Sequence, residues 1–225
     1  SNRGVDSAKL YEVGSIFIPK DQPVTKEPYE KLKLGMGMYG NYDFYDLKGI
    51  IEALLSRFGI RAALKPVTDN PTFHPGRTAA MYVNDELIGV YGEASPKVTV
   101  NYGLDHKVYL AELDVEKILQ YKNTNWKYEP LPKYPSMVRD IAVIVKDDIL
   151  AGDMEETIKE VNPYLIENVA LFDVYKGEHI QEGYKSTAFS VTYRNKERTL
   201  KEKEVENIHN KILQVLEKKF GAVLR

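Results

Sequence analysis

The chain has 225 residues, 43% apolar and 28% charged, with a net charge of -2 and no cysteine. That length suits one large or two ordinary domains. The near-zero charge argues against a bulk polyelectrolyte binder, and the absence of thiols excludes disulfides and disfavours a structural zinc site. No run approaches the ~20 apolar residues of a membrane-spanning helix and no signal-peptide pattern opens the chain, so the expected compartment is cytoplasmic. Ser1-Asn2, with no initiator Met and a strand-like run soon after, reads as a cleavage scar on a piece of a longer protein.

In chain order, residues 10–18 and 32–39 read as strands around a polar, proline-containing excursion at 19–31. Phe44, Leu47, Ile51, Leu54 and Phe58 then recur at helical spacing, with Asp43 placed to cap the start and Gly59 to stop the end. Thr78–Val83, Asn84-Asp85 and Leu87–Gly92 form a hairpin pattern. A strand over 107–113 and a short helix over 114–120 complete a first unit, residues 1–120. Residues 121–133 are polar and proline-bearing and read as a linker.

Residues 134–225 read as strand 139–145, helix 152–161, strand 166–175, strand 186–193, helix 200–220 and a terminal strand near 222–224. Thr199-Leu200-Lys201-Glu202 fits a capping box. The order βαββαβ is the ferredoxin-like pattern, which leaves one sheet face without helices. Alternation sends Thr187, Phe189, Val191 and Tyr193 inward. It also sends Phe172 and Val174 inward, and leaves Ala142, Asp173, Tyr175, Ser186, Ala188, Ser190 and Thr192 outward. Such a face is either solvated, as antiparallel sheets allow, or a platform on which a base stacks over the tyrosine. This unit carries 14 Lys and Arg against 16 Asp and Glu, so any nucleic-acid contact must come from a few placed side chains.

Other motifs carry less. Gly35-Met36-Gly37-Met38-Tyr39-Gly40 satisfies G-x-G-x-x-G, but the helix cap falls after the last glycine and no acidic residue ends a strand about 20 positions on; tight packing or a turn is the alternative. His74-Pro75-Gly76-Arg77 reads as a structural loop or an interface, because the four histidines are scattered. Arg139 beside Asp140 is a strand-entry ion pair or an RNA-backbone contact. Arg194, Lys196 and Arg198 form a local basic cluster, either solvated or phosphate-binding. His209 sits beside the last helix's apolar stripe as a partly buried structural residue.

Pro135, Arg139-Asp140-Ile141-Ala142, Leu171-Phe172-Asp173-Val174-Tyr175, Gly177, Gly183-Tyr184-Lys185-Ser186, Tyr193-Arg194 and Arg198-Thr199-Leu200 together resemble the anticodon-binding domain that ends the beta subunit of bacterial phenylalanyl-tRNA synthetases. Leu10-Tyr11-Glu12-Val13-Gly14, Asp43–Gly49, His74–Ala80 and Gly89–Glu93 resemble the region before it. The resemblance implies an α+β chain, in which a class II synthetase-like antiparallel sheet domain without catalytic function precedes the ferredoxin-like domain. It implies that Tyr175 stacks on the first anticodon base, a guanine, that Asp173 reads it, and that Ala142 and Ser186 line the pocket, with Arg139, Arg194 and Arg198 as possible backbone contacts. It also implies tRNA(Phe) and a catalytic alpha subunit in an (αβ)2 assembly as partners. ATP and Mg2+ are implied for the parent enzyme and no cofactor for this piece, which lacks the aminoacylation and editing sites. A ferredoxin-like module binding a free amino acid, or a protein-interaction scaffold, are the alternatives at the level of fold.

Overall fold

A computed structural model describes residues 4–123, 128 and 130–225. The chain forms two compact units, Ser1–Lys127 and Tyr128–Arg225. Part of the expected linker, residues 124–127 and 129, lies outside the described residues.

The first unit is built on a six-stranded sheet, all of whose pairings are antiparallel. Its strands are β1 (Ala8–Ile18), β2 (Tyr29–Tyr39), β3 (Ala63–Pro66), β4 (Phe73–Val83), β5 (Glu86–Ala94) and β6 (Val108–Asp114), in the spatial order β1-β2-β6-β5-β4-β3. Helix α1 (Phe44–Arg57) starts where expected. The Asp43 side chain accepts from the N–H groups of Tyr45 and Asp46 at 2.7 and 2.9 Å, and Asp46 accepts the Asp43 N–H in return. Leu47, Ile51 and Leu55 bury its apolar stripe with Tyr91, Tyr109 and Leu113 of the sheet. After α2 (Pro96–Asn101), α3 (Val115–Tyr121) is capped by Asp114 and adds Ile118 to the same core. The four-residue β3 and the short α2 have no counterpart in the sequence reading, because neither is long enough to show a period.

Two expectations change in detail. β4 begins at Phe73 rather than Thr78, and the His74–Arg77 stretch is a register irregularity inside it. There Arg77 Nη1 grips both oxygens of the buried Glu93 at 2.8 and 2.9 Å, so this motif is a structural clasp within the sheet. Gly35 and Gly37 lie within β2, where an added Cβ would meet nothing closer than 3.5 Å; they form no phosphate loop. Gly40 makes the turn, with φ +108 and Ser7 too close for any side chain.

The second unit comprises β7 (Met137–Lys146), α4 (Ala151–Val161), β8 (Ile166–Tyr175), β9 (Tyr184–Tyr193), α5 (Glu202–Phe220) and β10 (Val223–Leu224). Its sheet order is β10-β7-β9-β8, which is the ferredoxin-like arrangement. Phe189, Val191 and Tyr193 of β9 pack with Ile141, Val143 and Val145 of β7 against Met154, Ile158, Val205, Ile212 and Leu216 of the two helices. Burial pushes the Tyr193 phenol up to about 12, and its oxygen lies 3.3 Å from Nδ1 of His209, whose own pKa is lowered by burial. The helix start shifts from the expected box. Lys201 is the cap residue, and Glu204 accepts its N–H at 3.0 Å while also holding Arg198 through both oxygens.

Candidate nucleic-acid interface

The free face of the four-stranded sheet is set by pairing, because cross-strand partners share a face. One row runs from Ala142 through Ala188 to Asp173, and the next from Ile144 through Ser186 to Tyr175. The four residues expected to form a base-reading surface therefore occupy two adjacent rows on one face. Asp173 is exposed, Ala142 is half-buried and Tyr175 keeps 37% of its surface in solvent, whereas Ser186 is only 2% exposed. The centre of this face is a shielded floor of small side chains, with the carboxylate and the ring rising at the edge strand.

The orientation of Asp173 and Tyr175 depends on a bulge. Asn168 and Ala170 face the same way as Thr192 and Ser190, and simple alternation from them would put Phe172 and Val174 on the free face. The register shifts between Leu171 and Asp173, one residue falls out of step, and Asp173 and Tyr175 take the free face instead. Phe172 is the extra residue. It is 59% exposed rather than packed inward, and Val174 is also exposed, since α4 and α5 do not cover this end of the edge strand.

Arg225 belongs to the same surface and was not singled out from the sequence. Gly221 ends α5 in the left-handed conformation, its N–H donating to the Glu217 carbonyl, and turns the chain into β10. β10 pairs with β7, and the Arg225 N–H extends the ladder to the Ala142 carbonyl at 3.0 Å. That puts the Arg225 side chain on the free face. Its guanidinium donates to the Ser186 hydroxyl at 3.3 Å and lies 5.4 Å from the centre of the Tyr175 ring, within cation–π range. The available signal was a basic residue just after a predicted terminal strand, but the side chains it meets, Ser186 and Tyr175, lie 39 and 50 residues away in sequence.

The three arginines named as possible backbone contacts are not brought to this patch. Arg139 pairs with Val191, so it lies on the helix-covered face, where it reaches Glu202 at 2.7 Å. Arg194 lies eight residues along from Ser186, roughly 26 Å at strand rise. It is held by Glu167 at 2.8 Å and by the Tyr134 carbonyl. Arg198 is clasped by Glu204, whose carboxyl that contact lowers to about 2. Each has an acidic partner already.

Among the described residues, no group of three or more His, Asp or Glu side chains is arranged to hold a metal ion. No described helix is long and apolar enough to cross a membrane.

Residues 132–225 match the ferredoxin-fold anticodon binding domain, which sets the class: a chain carrying an anticodon-binding module. Residues 1–115, half of the chain, match the phenylalanyl tRNA synthetase beta chain CLM domain. The chain belongs to the phenylalanyl-tRNA synthetase beta-subunit family. The phenylalanine--tRNA ligase beta subunit of Clostridium tetani is 43% identical over 100% of this chain, and that of Clostridium acetobutylicum 40% over 97%. The Bacillus subtilis subunit is 38% identical over 99%. The chain spans 28% of the length of the two clostridial relatives and 29% of the Bacillus one.

Proposed function

We propose that this chain is the anticodon-reading and subunit-docking part of a phenylalanine--tRNA ligase, with tRNA(Phe) as its nucleic-acid partner. The observation that carries the reading is the joint placement of Tyr175, Asp173 and Arg225 on one face over a floor of Ala142, Ser186 and Ala188. An aromatic ring beside small residues offers a base a stacking surface. Guanine presents N–H donors that suit a carboxylate, and O6 and N7 acceptors that suit an arginine fork. A site with one of each at its two edges favours guanine over the other bases. In this reading Arg225 leaves the Tyr175 ring when a base arrives and turns to that base.

Residues 1–127 fit the docking role. β1 is an edge strand, and it exposes Leu10, Tyr11, Val13 and Phe17, with Tyr11 79% and Phe17 64% in solvent. A long, apolar, unpaired edge is a surface for another chain. The partner in this reading is the catalytic alpha subunit of an (αβ)2 assembly in the cytoplasm. ATP and Mg2+ are used by the parent enzyme, and no step that depends on them is assigned to the residues described here.

The test is titration of the 225-residue chain with a tRNA(Phe) anticodon stem-loop at stated salt. Tyr175→Ala should weaken binding by roughly 1–3 kcal/mol. Unchanged affinity with an unchanged melting curve would sink the stacking assignment. A free amino acid that raises the melting temperature, with indifference to the stem-loop, would favour the small-molecule module instead.

A further inference from the structure

Tyr175 can serve as a platform only if its ring is held in one place, and the residue two positions on decides that. A Cβ built on Gly177 would lie 2.2 Å from the Tyr175 Oη, 2.5 Å from Cζ and 3.1 Å from Cε1. The phenol end of the ring therefore occupies the space that any other residue at 177 would fill. We propose that Gly177 is a positioning residue for anticodon recognition: its missing side chain lets the Tyr175 ring fold back against the chain and present a fixed face to the base. The inference rests on the stacking reading of Tyr175 given above.

Three observations separate this from an ordinary turn glycine. Gly177 is not among the residues with positive φ, so an L side chain is compatible with its backbone and only space forbids one. Its carbonyl also closes the turn that follows. The Gly177 carbonyl accepts the Ile180 N–H at 2.9 Å, and Lys176 just before it pairs with Asp147 at 3.0 Å. The atoms that a Cβ would meet are the far end of a flexible side chain and not backbone, so an added methyl group displaces the ring rather than the loop. Finally, the ring lies beside the Arg225 guanidinium on the free face and is not part of the helix-covered core, so moving it leaves that core intact. Displacement of the ring therefore removes the platform without unfolding the sheet. A ring restrained before the base arrives loses less side-chain freedom on binding.

The experiment uses the 225-residue chain and its Gly177→Ala, Tyr175→Ala and doubly substituted forms. In the RNA-free protein, NMR should show contacts between the Tyr175 ring protons and the Gly177 α-protons. Gly177→Ala should shift the ring resonances while leaving the melting temperature unchanged. Stem-loop affinity should fall by roughly tenfold in Gly177→Ala, within the range that stacking on one side chain supplies. Adding Gly177→Ala to Tyr175→Ala should then change nothing further. Wild-type affinity for Gly177→Ala beside a weakened Tyr175→Ala overturns the role of Gly177 alone, as does an equal further loss in the double variant. Full affinity for Tyr175→Ala overturns the stacking reading, and the proposed role of Gly177 in recognition with it.

Discussion

The two units share a plan and differ in what they leave uncovered. Each is an antiparallel sheet with helices packed on one face. In the first unit the free face carries charges that answer one another: Lys33 lies 3.4 Å from Glu112 and 3.5 Å from Asp114. Its unsatisfied surface is at the edge, where β1 presents large apolar side chains and an unpaired backbone. In the second unit the free face gathers small residues, the Tyr175 ring, the Asp173 carboxylate and the Arg225 guanidinium in one patch, with Asp140 and the Lys146–Tyr184 pair further along the strands. Apolar area without placed polar groups suits a protein surface, whereas a flat ring flanked by one donor and one acceptor suits a base. The helix-covered sheet is thus a scaffold in both, and in the proposed function the composition of its open boundary sets the class of partner.

The comparison can be broken at several points, from the largest expected effect to the smallest. Covered and free faces of the second sheet should separate stability from binding. Phe189→Ala, on the covered face, should cost about 3–5 kcal/mol in denaturant unfolding. Tyr175→Ala on the other face should leave that unfolding midpoint almost unmoved. If both destabilise alike, the free face is structural.

For the first unit, replacing Tyr11 and Phe17 together with Asp should weaken association with the catalytic subunit by about 2 kcal/mol or more, as loss of buried aromatic anchors does. Pull-down and calorimetry would read this, with stem-loop binding by the same variant as the control. Retained association would move the docking surface off β1.

The smallest effect concerns Glu204. The Arg198 contact, followed by the Lys201 N–H, depresses its carboxyl to about 2, below its unfolded value. Its contribution is therefore complete above the ordinary carboxylate range and disappears as pH falls through about 2. Amide exchange in the first turn of α5 should quicken over that interval, and Glu204→Gln should remove the dependence. An unaltered pH response in Glu204→Gln would assign the transition to other carboxylates.

Legibility in the sequence followed the range of the interactions involved. Helix α1 was readable to its cap because Asp43 and Asp46 are three residues apart and satisfy one another locally. β8 was readable over Ile166–Tyr175, and the outward placing of Asp173 and Tyr175 followed from alternation over the last few residues. Phe172 was misjudged because a bulge is an agreement between two strands, and β8 alone does not contain it. The arginines at 139, 194 and 198 looked available because their partners Glu202, Glu167 and Glu204 become neighbours only through the turn of the chain or on folding.

By itself the sequence determined the longer elements and their order, the helix-covered core of the second sheet, and the common face of Ala142 with Ser186 and of Asp173 with Tyr175. These depend on period, capping and alternation, all of which act over a few residues. The bulge in β8 brings the second pair to the side of the first. Only the tertiary structure decided that Arg225 would lie beside Tyr175, that Ser186 would be shielded beneath that guanidinium, and that the phenol end of Tyr175 would fill the space left by Gly177. Each of these needs strands or turns distant from one another to settle into register, and no local pattern encodes a distance between them.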